Sequence, residues 1–197
     1  VYDFSAEDDG TRIELAPTLS ARRADPAHAA PPSPRPPIPE ALDFVTAAAF
    51  PVQWLTAWHV LHTVARVQRK ERVLIHSAAG GVGQALVQLA VEAGAHVIGS
   101  VSRDAKQPLV TALGAHEAFT RGGSGAPREV DVVLEAVGAD VAQSTLEVLA
   151  PFGRWVNYGT ASGPLPPLDA DALFPKSLSF SAYWLRAPHP AGAWERG

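Results

Sequence analysis

Val73-Leu74-Ile75-His76-Ser77-Ala78-Ala79-Gly80-Gly81-Val82-Gly83-Gln84 is the stretch on which the reading of this chain turns. Four residues of strand character run into a glycine-rich turn, and a helical run from Gln84 to Ala93 follows, its apolar positions Ala85, Leu86, Leu89, Ala90 and Ala93 falling on one face. Strand, glycine turn and helix in that order suit a dinucleotide pyrophosphate, with an ordinary glycine-rich turn in a fold that binds something else as the alternative. Gly80 and Gly81 let phosphates approach the main chain, and Gly83 lets the helix pack closely on the strand. The unpaired N–H groups of the helix's first turn then face the ligand. Against the Gly-x-Gly-x-x-Gly fingerprint, Ala78 replaces the first glycine, while Gly80 and Gly83 fill the other two places.

Outward from this turn the pattern repeats. His96–Val101 reads as a second strand, Asp104–Leu113 as a second helix closed by Gly114, and Glu117–Phe119 as a short third strand. Val130–Glu135 is the next strand, Ala142–Leu149 a helix, Pro151-Phe152-Gly153 a turn and Arg154–Gly159 another strand. Ser177–Leu185 alternates and closes the series as an edge strand. Upstream, Phe44–Phe50 predicts a short helix ended by Pro51, and Thr56–Ala65 a second one. Strands alternating with helices give an α/β fold, a doubly wound parallel sheet of Rossmann type. Its ligand crevice lies beyond the carboxyl ends of the strands.

Residues 1–39 differ in texture. Eight of the chain's 18 prolines fall there, and Ala27 to Pro39 is almost only Ala, Pro, Ser, His and Arg. Proline neither donates to a ladder nor continues a helix, so we expect an extended, poorly ordered arm, with a polyproline ligand for a partner as the alternative. Val1–Phe4 and Ile13–Leu15 are candidate short strands within it. The nucleotide domain is expected over residues 40–197.

Composition excludes several classes. A net charge of −4 and a pI near 6.0 give no electrostatic case for nucleic acid. With no cysteine there is neither disulfide nor thiolate chemistry. No signal peptide is recognisable and no apolar run reaches the roughly 20 residues of a membrane span, so no membrane partner is expected and a cytoplasmic location is.

The end of the second strand bears on which nucleotide is taken. A carboxylate there accepts the ribose hydroxyls of NAD. Here Ser100, Val101 and Ser102 are followed by Arg103 and Lys106, which suit a 2′-phosphate, so NADPH is preferred to NADH. Asp104 stands against this reading. Other constellations carry less: His59 and His62 lack a third ligand nearby, the Gly159–Gly163 loop places Ser162 one position late for a nucleophile elbow, and Glu135 reads as a polar lining or capping residue before a general base.

With these motifs in place the chain resembles the medium-chain dehydrogenase/reductase superfamily, in its zinc-independent quinone oxidoreductase and enoyl reductase branch. The resemblance rests on AAAFPVQWLTAWHVL (Ala47–Leu61), AAGGVGQ (Ala78–Gln84), LGAHEAF (Leu113–Phe119), VDVVLEAVG (Val130–Gly138) and GRWVNYG (Gly153–Gly159). It implies hydride transfer from NADPH to a small quinone or activated alkene (enone or enoyl). It also implies that Thr56 lies against the nicotinamide and that Ala79, Gly80, Gly81, Val82 and Gly83 hold the pyrophosphate. Ser102, Arg103 and Lys106 would hold the adenosine ribose phosphate, joined by Arg121 where a tyrosine often stands. Val137, Gly138, Tyr158 and Gly159 would line the nicotinamide side. Gln53 takes the place of a metal-binding cysteine in zinc-dependent relatives, so no metal is expected. The family's β-rich substrate domain finds no match in residues 1–39, and no catalytic residue is assigned. Dimerisation through the edge strand 177–185 is the expected assembly, and a non-catalytic NADPH-binding module the alternative function.

Overall fold

The computed structural model describes residues 2–6, 13–17, 38, 40, 42–123 and 125–185. The chain divides into two compact units, Val1–Ala49 and Phe50–Gly197. In the first, β1 (Tyr2–Ala6) and β2 (Ile13–Pro17) form an antiparallel pair, with Phe4 opposite Leu15. Both candidate strands of this region are therefore present, whereas most of the proline-rich run lies outside the described residues.

The second unit carries a six-stranded sheet of β3 (Arg72–Ile75), β4 (His96–Val101), β5 (Glu117–Thr120), β6 (Val130–Glu135), β7 (Leu149–Asn157) and β8 (Ser179–Ala182). Their order is β5-β4-β3-β6-β7-β8, and every neighbouring pair is parallel. The order turns back at β3 and β6, which is the doubly wound arrangement expected from the sequence.

Strand residues alternate between two apolar layers, which is why the strands read as nearly unbroken hydrophobic runs. Val73, Ile75, Val97, Val132, Leu134 and Val156 pack on one side with Leu86, Val87 and Ala90 of α2 (Gly81–Glu92). Val110 of α3 (Gln107–Ala112) belongs to the same layer. Leu74, Ile98, Phe119, Val133 and Trp155 form the other, with Ala142 of α4 (Ala142–Val148). Trp155 meets Phe180 edge-on, ring centroids 5.0 Å apart, and so ties β8 to the sheet.

Four sequence expectations are corrected. Pro51 does not end a helix: α1 runs from Phe44 to Trp58 and continues as a π-helix over His59–Ala65. Phe50 and Trp54 stack across the proline at 5.3 Å, and Thr56, Ala57, Val60 and Leu61 are buried, so packing outweighs the lost N–H. Helix α2 begins at Gly81 rather than Gln84, because Gly80 is its N-cap and the later glycines belong to its first turn. The element after β4 is a 3₁₀ turn (Asp104–Lys106) followed by the short α3 rather than one helix. The last strand is confined to Ser179–Ala182, since Ser177 adopts a left-handed conformation (φ 52°) at the end of a 3₁₀ turn. The Pro151-Phe152-Gly153 turn exists inside β7, where Phe152 has φ 62° and the register jumps from Val130 opposite Leu149 to Val132 opposite Arg154.

Candidate functional site

The carboxyl ends of β3, β4, β6 and β7 converge as the topology requires, and each end is locked by short hydrogen bonds. After β3 the chain reverses at Ser77, which takes φ 53°, and the Ser77 carbonyl accepts from Gly80 N at 2.8 Å. Gly80 is extended (φ −81°, ψ 169°), and no side chain caps the helix that follows. The N–H groups of the first turn of α2 are therefore left for a ligand. Side chains at the glycines would close the space differently. A Cβ on Gly83 would lie 2.3 Å from the Ser77 carbonyl oxygen and 2.8 Å from Ala78 Cα, all backbone. A Cβ on Gly81 would meet the end of the Gln53 side chain at 2.6 Å, a flexible group. Gln53 thus lies over the turn, a placement with no local signal in the sequence because helix α1 brings it there from far upstream.

Two contacts join this turn to the neighbouring strand end. Ala78 N donates to the Ser100 carbonyl at 3.0 Å, and His76 Nδ1 is 2.6 Å from Ser100 Oγ. His76 is buried, and its Nε2 has no partner among the described residues. Burial, and then the positive charge of Arg121, push the His76 pKa down from 6.5 to about 4, so the ring is neutral at physiological pH.

Beyond β4, Ser102 and Arg103 are exposed and Lys106 closes the 3₁₀ turn. Arg121 joins them because its N–H donates to the Val101 carbonyl at 2.9 Å. Asp104 points elsewhere. Its Oδ1 accepts from Gln107 Nε2 at 3.0 Å and from the Thr120 hydroxyl. An open groove of about 950 Å³ between α3 and the end of β5 has Asp104, Gln107 and Thr120 in its wall, and none of residues 79–83 lines it.

The β6 and β7 ends are organised by Glu135, which is fully buried. It accepts from Val137 N (2.8 Å), Gly138 N (2.9 Å), Trp155 Nε1 (3.2 Å) and Asn157 Nδ2 (2.5 Å). With four donors on one carboxylate, Glu135 is a structural anchor for residues 137–138 and, through Asn157 Nδ2 to the Gly159 carbonyl (2.7 Å), for the loop after β7. Gly138 has φ 91°, and a Cβ there would lie 2.3 Å from the Gly163 carbonyl. Ser162 Oγ donates to the Val137 carbonyl at 2.8 Å and accepts from Asp140 N at 3.2 Å, so this serine fastens two loops together. Burial, and then the Glu135 charge, push the Tyr158 phenol above its usual 10, which keeps it protonated.

Thr56 is buried in α1. His59 stacks with Tyr183 and bonds Thr63, whereas His62 packs on Trp58 at 4.2 Å, so the two rings serve different contacts. Among the described residues no group of three or more His, Cys, Asp or Glu is placed to hold a metal ion. Among those residues, too, no helix is long and apolar enough to cross a membrane.

Comparison with known proteins agrees with this geometry. Residues 81–195 match the family model described as zinc-binding dehydrogenase. Over 137 residues the chain is 39% identical to highly-reducing polyketide synthase 1 of Aureobasidium melanogenum, covering 64% of this chain and 6% of that protein. The quinone oxidoreductase of Thermus thermophilus, solved alone and with NADPH, superposes with a TM-score of 0.66 at 39% identity, over 76% of this chain and 50% of that one. A structure described as a putative enoyl reductase domain of polyketide synthase gives a TM-score of 0.59 at 36% identity, over 68% of this chain and 78% of that one. The chain thus spans about half the length of the quinone oxidoreductase and a small fraction of the synthase. It belongs to the medium-chain dehydrogenase/reductase superfamily, through the zinc-binding dehydrogenase family, and contains the nucleotide-binding portion that its quinone oxidoreductase and enoyl reductase members share.

Proposed function

We propose that this chain is the NADPH-binding part of a zinc-independent reductase acting on a quinone or an activated alkene, with residues 40–197 as the nucleotide domain and residues 1–39 as an arm. The observation that carries the reading is the turn Ser77–Gly83: an uncapped helix start whose Gly83 tolerates no side chain. It fits a pyrophosphate. NADPH, when bound, supplies a hydride to an electron-poor carbon.

The chain's own residues hold and orient. Ala79, Gly81, Val82 and Gly83 offer backbone N–H groups to the phosphates, while Gly80, whose N–H is taken by the Ser77 carbonyl, has no side chain to block their approach. Ser102, Arg103, Lys106 and Arg121 give the hydroxyl and cationic donors that a 2′-phosphate requires. Val137, Gly138, Tyr158 and Gly159, braced by Glu135 and Asn157, form a fixed wall for the nicotinamide, and Thr56 is assigned to its face. A rigid wall of this kind lowers the barrier by orientation alone.

Oxidation of NADPH by the purified 197-residue chain with a simple quinone or enone supports the reductase reading. Tight binding without turnover supports a second one, a non-catalytic NADPH-binding module within an assembly; relatives in which the matched segment is 6% of a polyketide synthase favour the assembly. Under both, NADPH at a hundred times Kd stabilises the fold by about 2.7 kcal/mol, and Gly80→Asp removes that shift. Since β8 ends the sheet, we also propose that residues 177–185 pair two copies; a monomer at micromolar concentration in light scattering would contradict that.

A further inference from the structure

We infer that Thr120 and Gln107 form a lock on Asp104 that sets the preference for a 2′-phosphorylated nucleotide; the inference rests on the NADPH reading above. Asp104 lies two positions beyond Ser102, close to where a carboxylate would accept ribose hydroxyls and repel a phosphate. Three hydrogen bonds close a ring around it. The Thr120 hydroxyl donates to Asp104 Oδ1, Gln107 Nε2 donates to the same oxygen at 3.0 Å, and Gln107 Nε2 also donates to Thr120 Oγ1 at 3.0 Å. The proton inventory is consistent: one hydroxyl proton goes to the carboxylate, and the two amide protons divide between carboxylate and hydroxyl.

The anchor is firm because Thr120 is the last residue of β5, paired with Val101 of β4, and Gln107 is the first residue of α3. Asp104 itself is exposed, so the ring fixes the direction of its charge rather than burying it. The carboxylate is held toward the β5 end and the groove wall, and the β4 end is left to Ser102, Arg103, Lys106 and Arg121. Freed, it could turn to the ribose and favour a nucleotide with an unmodified 2′-hydroxyl.

The test compares the Kd of 2′-phospho-ADP-ribose with that of ADP-ribose by calorimetry on the full 197-residue chain, with circular dichroism confirming the fold of each variant. In the double variant Thr120→Val/Gln107→Leu the preference should fall about tenfold, the scale of one charge-assisted hydrogen bond. Thr120→Ser, which keeps the hydroxyl, should retain the preference. Adding Asp104→Asn to the double variant should restore it to the value of Asp104→Asn alone. An unchanged preference in the folded double variant overturns the lock, as does a fall that persists without the Asp104 charge. A wild-type chain that binds neither ligand, or both alike, overturns the NADPH reading and this inference with it. Clear wild-type preference with no response to the variants overturns the inference alone.

Discussion

The turn after β3 and the strand end after β4 would hold two parts of one dinucleotide, its pyrophosphate and its adenosine 2′-phosphate, and they are built by different physics. The first is made of backbone: Ser77 in a left-handed conformation, Gly80 as cap, and a Gly83 whose missing Cβ is required by atoms 2.3 Å away. The second is made of side chains, with the direction of Asp104 set by Thr120 and Gln107, and Arg121 brought there by the bond of its backbone N–H to the Val101 carbonyl. Backbone sites fail all at once when a steric limit is crossed. Side-chain sites shift preference by degrees.

The largest effect should therefore come at the turn. Gly83→Ala puts a Cβ against main-chain atoms and should destabilise the fold by about 3 kcal/mol and abolish NADPH binding, read by thermal melting and calorimetry. His76, which links the two regions through Ser100, comes next. Its folded pKa of about 4 lies below the unfolded 6.5, so the unfolded chain binds the extra proton. The stability His76 allows is present above pH 6.5 and is lost as pH falls toward 4, by about 3 kcal/mol at most. His76→Asn should flatten that part of the stability–pH curve relative to wild type; parallel curves would contradict the assignment. Arg103→Ala should weaken NADPH about tenfold and leave NADH nearly unchanged, because only the 2′-phosphate loses a partner. Gly81→Ala should do least, under about 1 kcal/mol, since Gln53 can move aside; a loss as large as at Gly83 would show that the Gln53 contact is rigid.

The same contrast explains what could be read from the sequence. The run of strands and helices, their parallel doubly wound class and the glycine turn follow from local pattern, because β-branched runs, helical spacing and glycine each act over a few residues. The course of α1 through Pro51 was not legible. Stacking of Phe50 on Trp54 and burial of Thr56 to Leu61 override the proline, and these are tertiary facts. By its position alone Asp104 counts against NADPH. Its partners Gln107 and Thr120 are 3 and 16 residues away, and the second is reached only through the pairing of β4 with β5. The place of Glu135 at a strand end suggests a polar lining or capping residue, but its bonds to Trp155 and Asn157 depend on the neighbouring strand.

The central claim is that one nucleotide spans both regions and that the β4 end selects for its 2′-phosphate. Calorimetric titration of the wild-type chain with NADPH and, separately, NADH tests it most directly. The account predicts binding of both, with NADPH tighter by about tenfold or more. Equal affinities, tighter NADH, or no binding of either nucleotide would contradict it.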